Sequence, residues 1–152
     1  MNRVARTSLV AVVMLCGASL AAQKKPDFSG RWVSVGPAKG PGTEQVVTQD
    51  DKSLTTQRPD GTRKTVYQLD GVERRMPPPS SGGMAAEITF MGSAKWDGDR
   101  LVVLTTITHG SNGKQQLRDV WSLDKQGQLV IETTEIGPDG RSETKRTIWK
   151  KK

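Results

Sequence analysis

His109 and Cys16 are the only histidine and the only cysteine of the chain, so few side chains could do chemistry. A general base needs a proton donor within hydrogen-bond reach. Ser111 stands two residues past His109, in the turn His109-Gly110-Ser111-Asn112-Gly113, and is too close in sequence to serve as its nucleophile. Asp97 and Asp99 could offer oxygens to calcium, but a calcium loop supplies more ligands in register. Asp97-Gly98-Asp99 therefore reads as a hairpin turn. Glu132 and Glu135 are three apart, and on a strand that spacing points them to opposite faces. They make no acid/base pair. One cysteine and one histidine also exclude zinc sites and disulfide frameworks. No catalytic, cofactor-binding or metal site is expected, and the chain does not read as an enzyme.

The elements that position the remaining residues follow from composition. The 152 residues are 34% hydrophobic and 26% charged, with 16 Gly and 8 Pro. That is too polar for several membrane spans, too apolar for a disordered chain, and rich in turns. Residues 1–22 carry Arg3 and Arg6, an apolar run from Leu9 to Cys16, and small residues from Gly17 to Ala22. This is the layout of a secretory signal peptide, with cleavage after Ala21 or Ala22. The apolar run is shorter than the roughly 20 residues that span a bilayer. Leu15 directly before Cys16 makes a poor lipoprotein processing site, so no lipid anchor is expected. The mature protein is thus expected to be secreted or periplasmic, with a short tail over 23–27 and one domain over 28–150. It would carry no cysteine, and its core must hold it alone.

The net charge of +7 suggests nucleic acid at first sight. Arg3 and Arg6 leave with the leader, and five lysines (Lys24, Lys25, Lys150, Lys151 and Lys152) sit at the two ends. The body between them balances 16 basic against 16 acidic residues, alternating along the chain. A nucleic-acid reader would gather its cations on one face. No nucleic-acid partner is expected.

Turn signals recur at Asp50-Asp51-Lys52, Pro59-Asp60-Gly61, Asp70-Gly71, Asp97-Gly98-Asp99, Asn112-Gly113, Gln126-Gly127 and Pro138-Asp139-Gly140. Runs rich in Val, Ile, Thr and Trp lie between them and favour strands. In 87–96, Ile88, Phe90, Gly92, Ala94 and Trp96 alternate with Glu87, Thr89, Ser93 and Lys95, the period of a strand with one wet face. Strands are expected at 28–35, 44–50, 53–58, 62–69, 87–96, 100–109, 114–124, 128–137 and 141–150. A tenth, Val72 to Met76, is expected to fold back on 67–69 through Asp70-Gly71. Pro77-Pro78-Pro79 ends it, and 77–86 reads as a loop that could cover a barrel mouth. Leu101, Val102, Thr105, Thr106, Arg118 and Trp121 recur 28 residues later as Leu129, Val130, Thr133, Thr134, Arg146 and Trp149. Successive hairpins in similar surroundings produce such a repeat. The fold class is all-β, an antiparallel up-and-down meander closed into a β-barrel of 8–10 strands. Closure removes the exposed edges, and an even count lets the first and last strands pair antiparallel.

Asp27-Phe28-Ser29-Gly30-Arg31-Trp32 places a Gly-x-Trp at the start of the expected barrel, and Arg146 lies in the last strand. This resembles the calycin group of barrels, the lipocalins, fatty-acid-binding proteins and avidins. It also resembles uncharacterised secreted bacterial proteins that open Asp-Phe-Ser-Gly-x-Trp. The resemblance implies that Trp32, two residues after Gly30, closes one end of the barrel and that Arg146 packs across it.

Alternation makes Tyr67, Phe90, Leu101, Val103 and Ile107 the expected interior lining. Val102 and Leu104 leave apolar groups on the outer face, which suggests a partner or a covering segment such as 77–86. Two functions fit. One is a secreted or periplasmic lipocalin-like carrier of a small apolar or amphipathic molecule. The other is a filled barrel that acts on a protein partner through its loops, for example as an inhibitor of a secreted enzyme.

Overall fold

The computed structural model describes residues 25–36, 43–77, 88–110 and 113–152. The expected leader at 1–22, nearly all of the 77–86 loop, and Ser111 and Asn112 lie outside the described residues. Ten strands follow the turn signals: β1 (Gly30–Ser34), β2 (Glu44–Gln49), β3 (Ser53–Gln57), β4 (Thr65–Gln68), β5 (Arg74–Met76), β6 (Ile88–Asp97), β7 (Arg100–His109), β8 (Lys114–Leu123), β9 (Leu129–Ile136) and β10 (Ser142–Lys151). All pairings are antiparallel and run β4-β3-β2-β1-β10-β9-β8-β7-β6-β5. The first and last strands meet, with Trp32 opposite Lys151 and Ser34 opposite Trp149. The molecule is a nearly closed barrel, and its seam falls between β4 and β5.

The seam corrects one expectation. Asp70-Gly71 is expected to fold β5 back onto β4, yet among the described residues β5 pairs with β6 and not with β4, Arg74 opposite Gly92. The turn's own groups explain why. Gly71 N–H donates to the Ala94 carbonyl at 2.8 Å, and Asp70 bridges to Lys95. The Asp70 carboxylate is held by the Arg74 guanidinium at 2.6 and 2.7 Å and also accepts from Val72 N–H. Backbone that would zip a two-stranded hairpin is thus engaged across the seam, on β6. Gly92 lacks a side chain where Met76 crosses it, since a Cβ there would lie 1.9 Å from the Met76 sulfur.

The floor lies at the end of the barrel where β1 begins. Phe28 precedes β1 and closes that end as a plug.

 Phe28, Trp32, Leu54, Leu101 and Leu129 are each at most 1% exposed. Phe28 stacks on Trp96 (centroids 5.9 Å apart, planes 14° apart) and meets Trp121 edge-on at 5.9 Å. The plug is tied by hydrogen bonds. Trp32 Nε1 donates to the Phe28 carbonyl at 2.8 Å, and Phe28 N–H donates to Gln49 Oε1 at 3.1 Å. Gln49 Nε2 in turn donates to the Pro26 carbonyl at 2.9 Å. Strand pairing therefore starts at Gly30, two residues later than expected.

Gly30 sits at φ +146°, and a Cβ there would lie 2.5 Å from Lys151 Cε. Gly30→Ala must strain the backbone and displace Lys151 at once. Such strain costs on the order of 1–3 kcal/mol, and urea denaturation of the variant should show a loss in that range.

On the outer face, Val102, Val120 and Val130 are buried, whereas Leu104 is 43% exposed. Val102 and Val120 are direct cross-strand neighbours.

Candidate functional site

Above the floor the inner face is not filled. A central cavity of about 260 Å³ is walled by Gln45 and Thr56 from β2 and β3, Tyr67 from β4, and Val103 from β7. Asp119 and Trp121 from β8, Ile131 and Thr133 from β9, and Thr147 and Trp149 from β10 complete the wall. Each is an inward position of a period-two strand, so the alternation that builds the core also builds the cavity. A second cavity of about 210 Å³ shares Tyr67 and Asp119 with the first. It lies on the seam side, against Thr65, Met76, Pro77, Phe90, Thr105, Ile107 and Leu117. A third of about 220 Å³ shares Gln45, Thr56 and Trp149, and carries Arg58 and Arg63.

Four of the five expected lining residues wall these cavities: Tyr67 both of the first two, Val103 the central one, Phe90 and Ile107 the seam-side one. Leu101 does not. It is fully buried in the floor cluster with Phe28 and Trp32. Gly30 and Trp32 also belong to the floor, but Arg146 does not pack across Trp32. Lys151 does, with its Nζ 5.5 Å from the ring centroid. The reason is parity. Trp149 faces inward, so Lys151 shares its face and Arg146, three residues before it, faces out. There Arg146 is largely exposed and lies 4.0 Å from Glu132. Glu135 takes the inner face, where Gln115 Nε2 donates to it, so the two glutamates do part as their spacing requires.

Five polar wall residues carried no expectation: Gln45, Thr56, Asp119, Thr133 and Thr147. Asp119 accepts a hydrogen bond from Thr133 Oγ1 at 2.6 Å. Burial pushes its carboxyl above the ordinary carboxylate range, and the Thr133 bond opposes that only in part. Burial likewise pushes the Tyr67 phenol up, against a hydrogen bond with Thr105 and with a further upward push from Asp119. A raised carboxyl means that the unfolded chain ionises before the folded one, so stability falls as pH climbs through that interval. Asp119→Asn keeps an acceptor for Thr133 and removes the charge. The variant should be more stable than the parent at neutral pH, with the difference closing as pH falls below the ordinary carboxylate range. Thermal melts across pH read this directly.

Among the described residues no group of three or more His, Cys, Asp or Glu could hold a metal ion, and no helix is long and apolar enough to cross a membrane. His109 stands at the end of β7, where its N–H donates to the Gly113 carbonyl at 3.1 Å. Compared with known proteins, the chain matches no family model, no curated protein and no solved structure.

Proposed function

We propose that this protein is an exported, lipocalin-like binding protein that carries a small amphipathic molecule inside the barrel. One observation carries the reading: a tightly packed, plugged floor stands beneath an interior that its own side chains leave open. Cores pack close to the density of organic crystals, with few voids larger than a water molecule. The central cavity has room for roughly nine waters at about 30 Å³ each. Its wall sets large aromatic surfaces (Tyr67, Trp121, Trp149) among five polar side chains, so an amphipathic occupant suits it better than a purely apolar one.

Trp121 and Trp149 make the site self-reporting. Titration with a small lipophilic probe should change tryptophan emission saturably, at one probe per chain. A flat titration over a range of probes would point instead to the second reading, a barrel that acts on a protein partner through its loops.

A further inference from the structure

One carboxylate narrows the class of the occupant, and the inference rests on the carrier reading above. Asp119 and Tyr67 are the two residues that wall both the central and the seam-side cavity. Among the described residues no Lys, Arg or His stands on either wall, so the Asp119 carboxylate is the only formal charge there. Its immediate setting offers no counter-charge either. Asp119 shares its face of β8 with Leu117 and Trp121, and it lies opposite Val103 on β7 and Thr133 on β9. Thr133 Oγ1 donates to one carboxylate oxygen at 2.6 Å. The second oxygen accepts from none of the described residues, yet it is not sealed away from water as an orphaned atom would be. It opens onto the cavity.

A carboxylate half-withdrawn from water with no cation beside it bears a desolvation cost. Burial pushes this carboxyl above its ordinary range for that reason. A cation brought in by the occupant would offset that cost. The walls suit the same chemistry. Tyr67, Trp121 and Trp149 share the central wall with Asp119, and aromatic rings attract ammonium groups most strongly where water is excluded. The seam-side cavity is lined by Met76, Phe90, Ile107 and Leu117, which suit an apolar tail. Arg58 and Arg63 stand on the wall of the third cavity, which Asp119 does not line, and they disfavour a cation at that end.

We propose that the barrel carries a small organic amine, whose ammonium head pairs with Asp119 beside the aromatic wall and whose apolar tail occupies the seam-side cavity. Four probes of similar shape test this: phenylpropylamine (an ammonium), phenylpropanol (a neutral hydroxyl), hydrocinnamate (a carboxylate) and propylbenzene (no polar end). Binding to the full mature chain is read by calorimetry and tryptophan emission. Phenylpropylamine should bind at least about tenfold more tightly than each of the others, the scale of one charge-assisted hydrogen bond. Asp119→Asn keeps the shape and an acceptor for Thr133 but removes the charge. It should weaken phenylpropylamine about tenfold or more and leave propylbenzene within about twofold. Glu135→Gln is the control, because that inner-face carboxylate is engaged by Gln115 and walls neither cavity. It should leave phenylpropylamine within about twofold. Circular dichroism confirms that each variant is folded. Should Asp119→Asn not fold, the parent's preference for ammonium over hydroxyl decides by itself.

Hydrocinnamate or phenylpropanol matching phenylpropylamine would overturn the proposal. An unchanged amine affinity in Asp119→Asn, or an equal loss in Glu135→Gln, would overturn it too. Propylbenzene matching the amine would also overturn it while leaving the carrier reading intact. Failure of all four probes to bind would overturn the carrier reading as well.

Discussion

Phe28→Ala should cost about 3–5 kcal/mol of stability, the range for deleting a large aromatic from a core. Phe28 is fully buried although it belongs to no strand. Its ring is held between Trp96 and Trp121, and its backbone accepts from Trp32 and donates to Gln49. Removing the ring leaves a hole among tryptophans that sit on different strands and cannot close in together. The loss should appear as a lower midpoint in urea with little change in slope. A loss below about 1 kcal/mol would mean that 26–29 is a loosely attached tail and that the barrel has no real plug.

Val103→Arg should abolish ligand binding. Val103 is 1% exposed and stands where the packed floor meets the open cavity. A guanidinium there takes up the cavity and brings a charge against the aromatic wall of Trp121 and Trp149. The expected loss is at least about a hundredfold, or roughly 2.7 kcal/mol. Because a buried charge also threatens folding, Val103→Phe serves as the uncharged counterpart. It fills the same volume, with an overpacking cost of about 1–3 kcal/mol. Phe90→Arg makes the matching test of the seam-side cavity. Probe binding that survives Val103→Arg and Phe90→Arg in folded protein would place the ligand elsewhere.

Much of this architecture is legible in the sequence, because strand alternation and turn chemistry are local. The ten strands fall between the Gly, Asp and Pro turns that mark them, and the even count gives the antiparallel meeting of β1 and β10. What was not legible depends on partners far away in sequence. Asp70-Gly71 has the composition of a hairpin turn, but its N–H finds Ala94 on β6, so β5 leaves β4 and the seam opens. The resemblance sets Arg146 across Trp32 because it is a basic residue of the last strand, but the parity of Trp149 puts it outside. The 28-residue repeat carried the same message. Arg118 and Arg146 are equivalent and both face out, while Trp121 and Trp149 are equivalent and both wall the cavity.

Asp119 shows a different limit. Gln115, Leu117, Asp119 and Trp121 alternate regularly with Lys114, Gln116, Arg118 and Val120, so the sequence does place a carboxylate on the inner face. A search for apolar lining passes over it. Its polarity became informative only once burial and Thr133 were seen beside it. Gln45 is similar, a polar residue on a short strand whose inward face is set by its pairing opposite Trp32.

The most direct test of the central claim is native mass spectrometry of the mature protein isolated from the cells that make it. The carrier reading predicts an adduct on the order of 100–300 Da, scaled from the cavity volume, that is present on the folded chain and lost on denaturation. The same bare polypeptide mass before and after denaturation would contradict it.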